Sequence, residues 1–242
     1  MRRSERLIRW GARRPVLSVL LLLSAVICTP LAIRALEVDE PNAQDRQIVR
    51  TIAKRMKLFH LSNQDMDDDI SKKGFQLYLK SLDPSKMYFY QSDIDEFGAS
   101  ADELDDLAKS GDLSFAFAVF NRFLKRIEER LVVINQLIES EHDFTLDEVM
   151  MTDSDELEFA KNPAELKDRW RKRIKYSMLV EKSEETANED AKNKLNRRYT
   201  SFAKRMNQFD AEEVTELFLT SLTTAYDPHS TYFSQSTFDN FM

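Results

Sequence analysis

The amino-acid sequence predicts an all-α fold, a multi-helix bundle, and three observations carry that reading. Beyond residue 36 no stretch alternates apolar and polar residues for long, while apolar residues recur at three- and four-residue steps. Two helix starts are written out as capping boxes, Asn162-Pro163-Ala164-Glu165 and Asp210-Ala211-Glu212-Glu213. A helix–aromatic corner–helix unit also occurs twice, at 83–97 and at 227–241.

The chain opens with a basic, apolar leader. Residues 1–35 hold seven Arg against Glu5, net +6, so the remaining 28 basic and 41 acidic residues leave a body of net −13. Arg2, Arg3, Arg6, Arg9, Arg13 and Arg14 precede an apolar run from Val16 to Cys28 that stops at Thr29-Pro30. As a helix that run spans about 20 Å, short of the ~30 Å hydrocarbon layer; extended to Ile33 it reaches about 27 Å. Residues 1–35 are read as a signal peptide or membrane anchor, a secretory signal being favoured. Residues 36–43 follow as a linker, and 44–242 as the helical domain. The working space is then periplasmic or otherwise extracytoplasmic, with the inner membrane as anchor if the leader is retained.

Helices are expected at about 44–60, 64–80 and 93–108. The next, Leu113 to Glu139, is the clearest: Phe120, Phe123, Leu124, Ile127, Leu131, Ile134 and Ile138 form one stripe, with Arg122, Lys125, Glu128 and Glu129 between them. The acidic, aperiodic stretch 140–161 reads as a long connection. Asn162 then caps a helix whose inner face is Leu166, Trp170, Ile174 and Met178. One more helix covers about 187–207. The last full one starts at Asp210 and turns Val214, Leu217, Phe218 and Leu222 inward.

At a fixed offset of 144, eight of fifteen positions in the two corners are identical, among them Asp83/Asp227, Pro84/Pro228, Tyr88/Tyr232 and Phe89/Phe233. The residue before proline is pushed out of the α region, so each Asp-Pro ends a helix. A Tyr-Phe pair then buries aromatic surface. Ser92 with Asp95, and Ser236 with Asp239, are expected to cap the helices that follow. The two corners should therefore be equivalent, with Tyr88 and Tyr232 largely buried.

Composition removes several chemistries. The four glycines, Gly11, Gly74, Gly98 and Gly111, do not cluster into a phosphate-cradling or dinucleotide-binding loop. One Cys and three His give no disulfide framework and no usual zinc set. Asp65, Asp67 and Asp69 have calcium-loop spacing, but Ile70 and Gln76 stand where Gly and Glu are needed, so they read as a solvated helix start. An acidic body argues against nucleic acid as a partner. Asp227-Pro228-His229-Ser230 holds an acid, an imidazole and a hydroxyl. Sequence neighbours seldom aim side chains at one another, however, and the first copy has Ser85 and Lys86 in place of His229 and Ser230. The corner is read as structural, and no catalytic, cofactor-binding or metal-ligating residue is assigned. His60 and His142 are read as a helix-end and a loop residue, apart from other ligand types.

With these motifs in hand, residues 44–242 resemble the N-terminal region of the tail-specific, or carboxyl-terminal processing, proteases. The resemblance rests on Tyr78-Leu79-Lys80-Ser81-Leu82-Asp83, Asn162-Pro163-Ala164-Glu165-Leu166 leading to Trp170, Arg197-Arg198-Tyr199, and Asp227-Pro228-His229-Ser230-Thr231-Tyr232. It implies a signal peptide, a helical domain, then a PDZ domain and a protease domain with a Ser/Lys dyad, acting on exported proteins with apolar C-terminal tails. Met242 falls about where the PDZ domain would begin, so no catalytic position is carried over and the chain alone is expected to be inactive. The partners implied are the downstream PDZ and protease domains, with a protein substrate or an adaptor beside them. Membrane contact is expected only through residues 16–33, if uncleaved. A free-standing exported helical binding protein is the alternative reading.

Overall fold

The computed structural model describes residues 38–61, 64–183 and 188–242. The leader lies outside the described residues. Within them there are nine α-helices and no strand: α1 Ala43–Phe59, α2 Asp68–Leu82, α3 Gln91–Gly98, α4 Leu104–Ser110, α5 Ser114–Glu139, α6 Pro163–Ser183, α7 Asn188–Met206, α8 Ala211–Tyr226 and α9 Gln235–Phe241. None of these helices is long and apolar enough to cross a membrane.

The local signals act as physical chemistry requires. Asn42 caps α1 by accepting from the amides of Gln44 and Asp45, and Asp45 returns a bond to the Asn42 amide. Asp67, the middle of the three spaced acids, caps α2 through the amides of Asp69 and Ile70. Asp210 and Glu213 exchange bonds of 3.0 and 2.9 Å at the start of α8. At α6 the amide of Glu165 donates to Asn162, while the Glu165 carboxylate reaches the amide of Lys161 rather than that of the cap itself.

Helix α5 is the spine. Phe120, Phe123, Leu124, Ile127, Ile134 and Ile138 are buried, and Leu131 is half-buried against the same core. Its N-terminal half joins α1, α2, α4 and α8 around Tyr78, Phe89, Phe120 and Phe218. Its C-terminal half joins α6 and α7 around Leu166, Trp170, Ile174 and Leu195. Each such side chain contributes roughly 1.5–3 kcal/mol by leaving water. Tyr78, fully buried in α2, keeps its hydroxyl bonded to the carbonyl of Ala116 at 2.9 Å and meets the Phe218 ring edge-on. Helix α2 lies along α8 so closely that a Cβ on Gly74 would stand 2.7 Å from Leu222 Cδ2.

One expected helix is two. The span 93–108 breaks after Gly98, a weak helix former, into tight turns in which Ser100, Ala101 and Glu103 bond three residues back. The break lets both Phe97 and Leu104 enter the core. Buried Asp105 of α4 accepts from Ser71 of α2 at 2.7 Å and from Lys109 at 2.5 Å.

Helix α4 ends at Gly111, in the left-handed region at φ +72°. A Cβ there would lie 2.5 Å from the carbonyl oxygen of Arg46 and 2.6 Å from Arg50 Nε. Gly111→Ala is expected to lower stability by about 2–4 kcal/mol, left-handed strain adding to an overpacked backbone contact. Urea denaturation checks this; a neutral substitution would mean that α1 and α4 separate freely.

Candidate functional site: the groove between the two corners

The first corner is built around a buried carboxylate. Asp83 ends α2, its amide still bonded to the carbonyl of Leu79, and its side chain folds back over the loop. It accepts from the amides of Met87, Tyr88 and Phe89 at 2.9, 2.8 and 3.0 Å. Burial pushes this carboxyl upward, against the pull of the three amides and of Arg130. Lys86 takes φ +52°, which among the described residues no other non-glycine residue does above zero. From there its ammonium reaches the carbonyl of Leu157 at 2.5 Å and stands 5.5 Å over the Phe159 ring. Tyr88 packs against Phe123, Trp170 and Phe202, and Phe89 is fully buried. Trp170 Nε1 donates to the carbonyl of Met87 at 2.9 Å, which fastens α6 to the corner.

The second corner shares the turn but not the enclosure. Ser230 donates its amide to the Asp227 carbonyl at 2.9 Å, as Lys86 does to Asp83 at 3.1 Å. The Asp227 carboxylate, however, caps no run of three amides. It accepts the Ser230 hydroxyl at 2.9 Å and lies 3.5 Å from His60 Nε2, which is itself 3.1 Å from Ser230 Oγ. The Ser230 bond is the largest influence holding the Asp227 carboxyl below its ordinary range, with His60 contributing. Pro228, His229 and Phe233 are exposed and Tyr232 is half-buried.

Helices α3 and α9 begin two residues earlier than the sequence suggests, so Ser92 and Ser236 lie inside them and cap nothing. The cap positions are Tyr90 and Ser234. What the repeat preserves is a bond one turn apart: Gln91 to Asp95 at 2.9 Å, and Gln235 to Asp239 at 2.7 Å.

His60 is the residue sequence reasoning placed incompletely. It does end α1, but it also joins Asp227 and Ser230, which are about 170 positions away, so no local pattern signals the meeting. The trio lacks the connectivity of a hydrolytic triad. There the imidazole takes the hydroxyl at one nitrogen and the carboxylate at the other. Here both approach Nε2, and the hydroxyl donates to the carboxylate. The cluster fastens the end of α1 to the corner, beside Gln64, whose side chain donates to the Tyr226 carbonyl at 2.7 Å.

Between the corners runs a groove of about 890 Å³. Pro84 and Pro228 stand on its walls, Phe75, Leu79, Ile94, Phe159 and Tyr226 give it an apolar lining, and Lys73, Lys80 and Lys86 add positive charge. Lys80 is paired with Asp155 at 3.0 Å, while Lys86 meets a carbonyl and a ring. Such a cleft suits an extended, mainly apolar segment with a carboxylate. Among the described residues no three His, Cys, Asp or Glu side chains converge as metal ligands would.

Behind the first corner, α5 grips α3 by charge. Arg122 and Arg126 both bind buried Asp93, at 2.6 and 2.7 Å, and Arg122 takes Glu96 through two bonds of 3.0 Å. Burial raises the Asp93 carboxyl, but Arg126, the Tyr90 amide and Arg122 together outweigh it and hold it below its ordinary value. Its folded pKa is then lower than its unfolded one. The stabilisation is complete above the unfolded value of about 4 and is lost as pH falls through the folded value. Asp93→Asn is expected to cost about 3 kcal/mol at neutral pH and progressively less in acid. Chemical denaturation of both proteins across that range checks it; a pH-independent gap would contradict the charge pairing.

Comparison with known proteins completes the picture. Residues 52–236 match the family described as the tail specific protease N-terminal domain. The chain is 30% identical over 188 residues to the tail-specific protease of Haemophilus influenzae, an overlap of 77% of this chain and 27% of the relative. The chain thus spans about a quarter of the length of that relative. An all-helical body, with the first corner and the start of the second inside the matched span, agrees with this, and the chain belongs to the tail-specific protease family, whose N-terminal domain it carries.

Proposed function

We propose that the chain is the helical N-terminal module of an exported tail-specific protease. In this reading it positions downstream PDZ and protease domains, and the groove between the corners docks an extended segment of a protein substrate or an adaptor. The basic, apolar leader supports export to the periplasm or an equivalent extracytoplasmic space. The groove is the observation that carries the docking role: it is apolar, walled by both prolines and positively charged. Peptide-bond cleavage belongs to residues beyond these 242.

The test is made in the full-length protease. Gln76 is exposed at the groove, so Gln76→Trp narrows it without touching the core. Combined with Lys73→Glu, it should raise KM for a protein substrate, or weaken adaptor binding, by about tenfold, equivalent to about 1.4 kcal/mol. The kcat for a short peptide should stay unchanged. Unaltered handling of both protein and adaptor would remove docking from the reading.

A further inference from the structure

The repeat reveals an aromatic face whose cover is missing among the described residues. In the first copy Phe89 and Phe97 meet at 6.2 Å, and a helix closes over them: Phe89 touches Phe123 at 5.5 Å and Phe97 touches Phe115 at 6.3 Å, both from α5. Their exposures are 0% and 7%. In the second copy the equivalent Phe233 and Phe241 stack at 6.3 Å, but no further ring meets them among the described residues, and their exposures are 49% and 77%. Phe238, at the position of Ile94, is 48% exposed, and α9 buries none of its own residues.

Charge extends the parallel. Asp93 and Glu96, which take the arginines of α5, are replaced by Thr237 and Asn240. The negative charge on this face comes instead from Glu216 of α8. Its Oε2 accepts from the Ser234 amide at 3.1 Å and from the Thr237 hydroxyl at 2.8 Å. No cation pairs with Glu216 among the described residues.

We infer that α9 is a docking face for an amphipathic helix that plays toward it the part α5 plays toward α3. That helix carries an aromatic or large aliphatic stripe for Phe233, Phe238 and Phe241, flanked by an Arg or Lys that reaches Glu216. Its source is the part of the full-length protease outside these 242 residues, and the inference rests on the function proposed above. The chain spans only 27% of the Haemophilus influenzae relative, which leaves ample polypeptide to supply it. A second copy meeting it through the same face fits worse, because its α8 would bring another Glu216 to the contact instead of a cation. Burying three half- to mostly exposed phenylalanines is a large apolar gain for a helix this short.

The experiment compares amide hydrogen exchange in the 38–242 body and in the full-length protein. Exchange at 235–241 is expected to slow about tenfold or more in the full-length protein, with α3 unchanged. Phe241→Ser, and separately Glu216→Lys, should restore the fast rate there and leave α2 and α8 protected, since α9 contributes nothing to the core. Equal rates in the two proteins overturn the inference. So does slow exchange in the isolated body that depends on its concentration, which would make the occupant a second copy. A full-length protein without peptidase activity would remove the functional reading while leaving the exchange comparison decisive for the face.

Discussion

Phe89→Ala is expected to cost about 3–5 kcal/mol, and Phe233→Ala, at the equivalent position, about 1 kcal/mol or less. The two residues occupy the same place in the repeat, so local sequence cannot account for the difference. Phe89 is enclosed by Phe97 and Phe123, and its removal leaves a cavity that α5, pinned along its length, has little freedom to fill. Phe233 keeps one ring partner and half its surface in water. Urea denaturation of the two variants in the 38–242 body measures the gap directly. Equal losses would mean that the second corner is as enclosed as the first.

Removing the corner carboxylates should separate the copies again. Asp83→Ala leaves the buried amide of Phe89 and the partly buried amides of Met87 and Tyr88 without their acceptor, and a fully buried donor so orphaned costs about 1–3 kcal/mol. A total loss of about 3–5 kcal/mol is expected, with Asp83→Asn recovering part of it through its remaining carbonyl oxygen. Asp227→Ala removes the contacts with Ser230 and His60 in a partly solvated setting, where about 1 kcal/mol is the expected loss. Melting temperatures of the three variants settle the order. An Asp227 variant less stable than the Asp83 variant would show that the second turn, not the first, holds the bundle.

What the sequence made legible is the part governed by local rules. The stripe of α5, the inner face of α6 and the caps at Asn162 and Asp210 follow from spacing and from the need to satisfy free amides. The boundaries differ at Ser92 and Ser236 because a Ser-x-x-Asp pattern also fits the first turn of a helix already begun, where Asp95 and Asp239 accept from Gln91 and Gln235. Eight identical positions suggested two equal corners, yet equality of sequence carries no information about which copy receives a covering helix. That depends on α5, which the chain supplies once. The meeting of His60 with Asp227 and Ser230, and the grip of Arg122 and Arg126 on Asp93, are likewise products of topology: the partners are brought together by packing across many intervening residues. The groove is not legible in the sequence, since its lining comes from α2, α3, α8 and the 154–159 segment at once.

We propose that these helices hold and dock, and that cutting falls to other parts of the protease. This is tested most directly by incubating the purified 38–242 body with an unfolded protein ending in an apolar tail and measuring peptide-bond hydrolysis. Among the described residues Ser230 gives its hydroxyl to Asp227 directly, and both approach His60 at the same nitrogen, whereas proteolysis needs a hydroxyl activated by a base together with preorganised donors for the oxyanion. No turnover above buffer is expected, with identical traces for Ser230→Ala and His60→Ala. Turnover that either substitution abolishes would contradict this and make the His60, Asp227 and Ser230 cluster a catalytic centre.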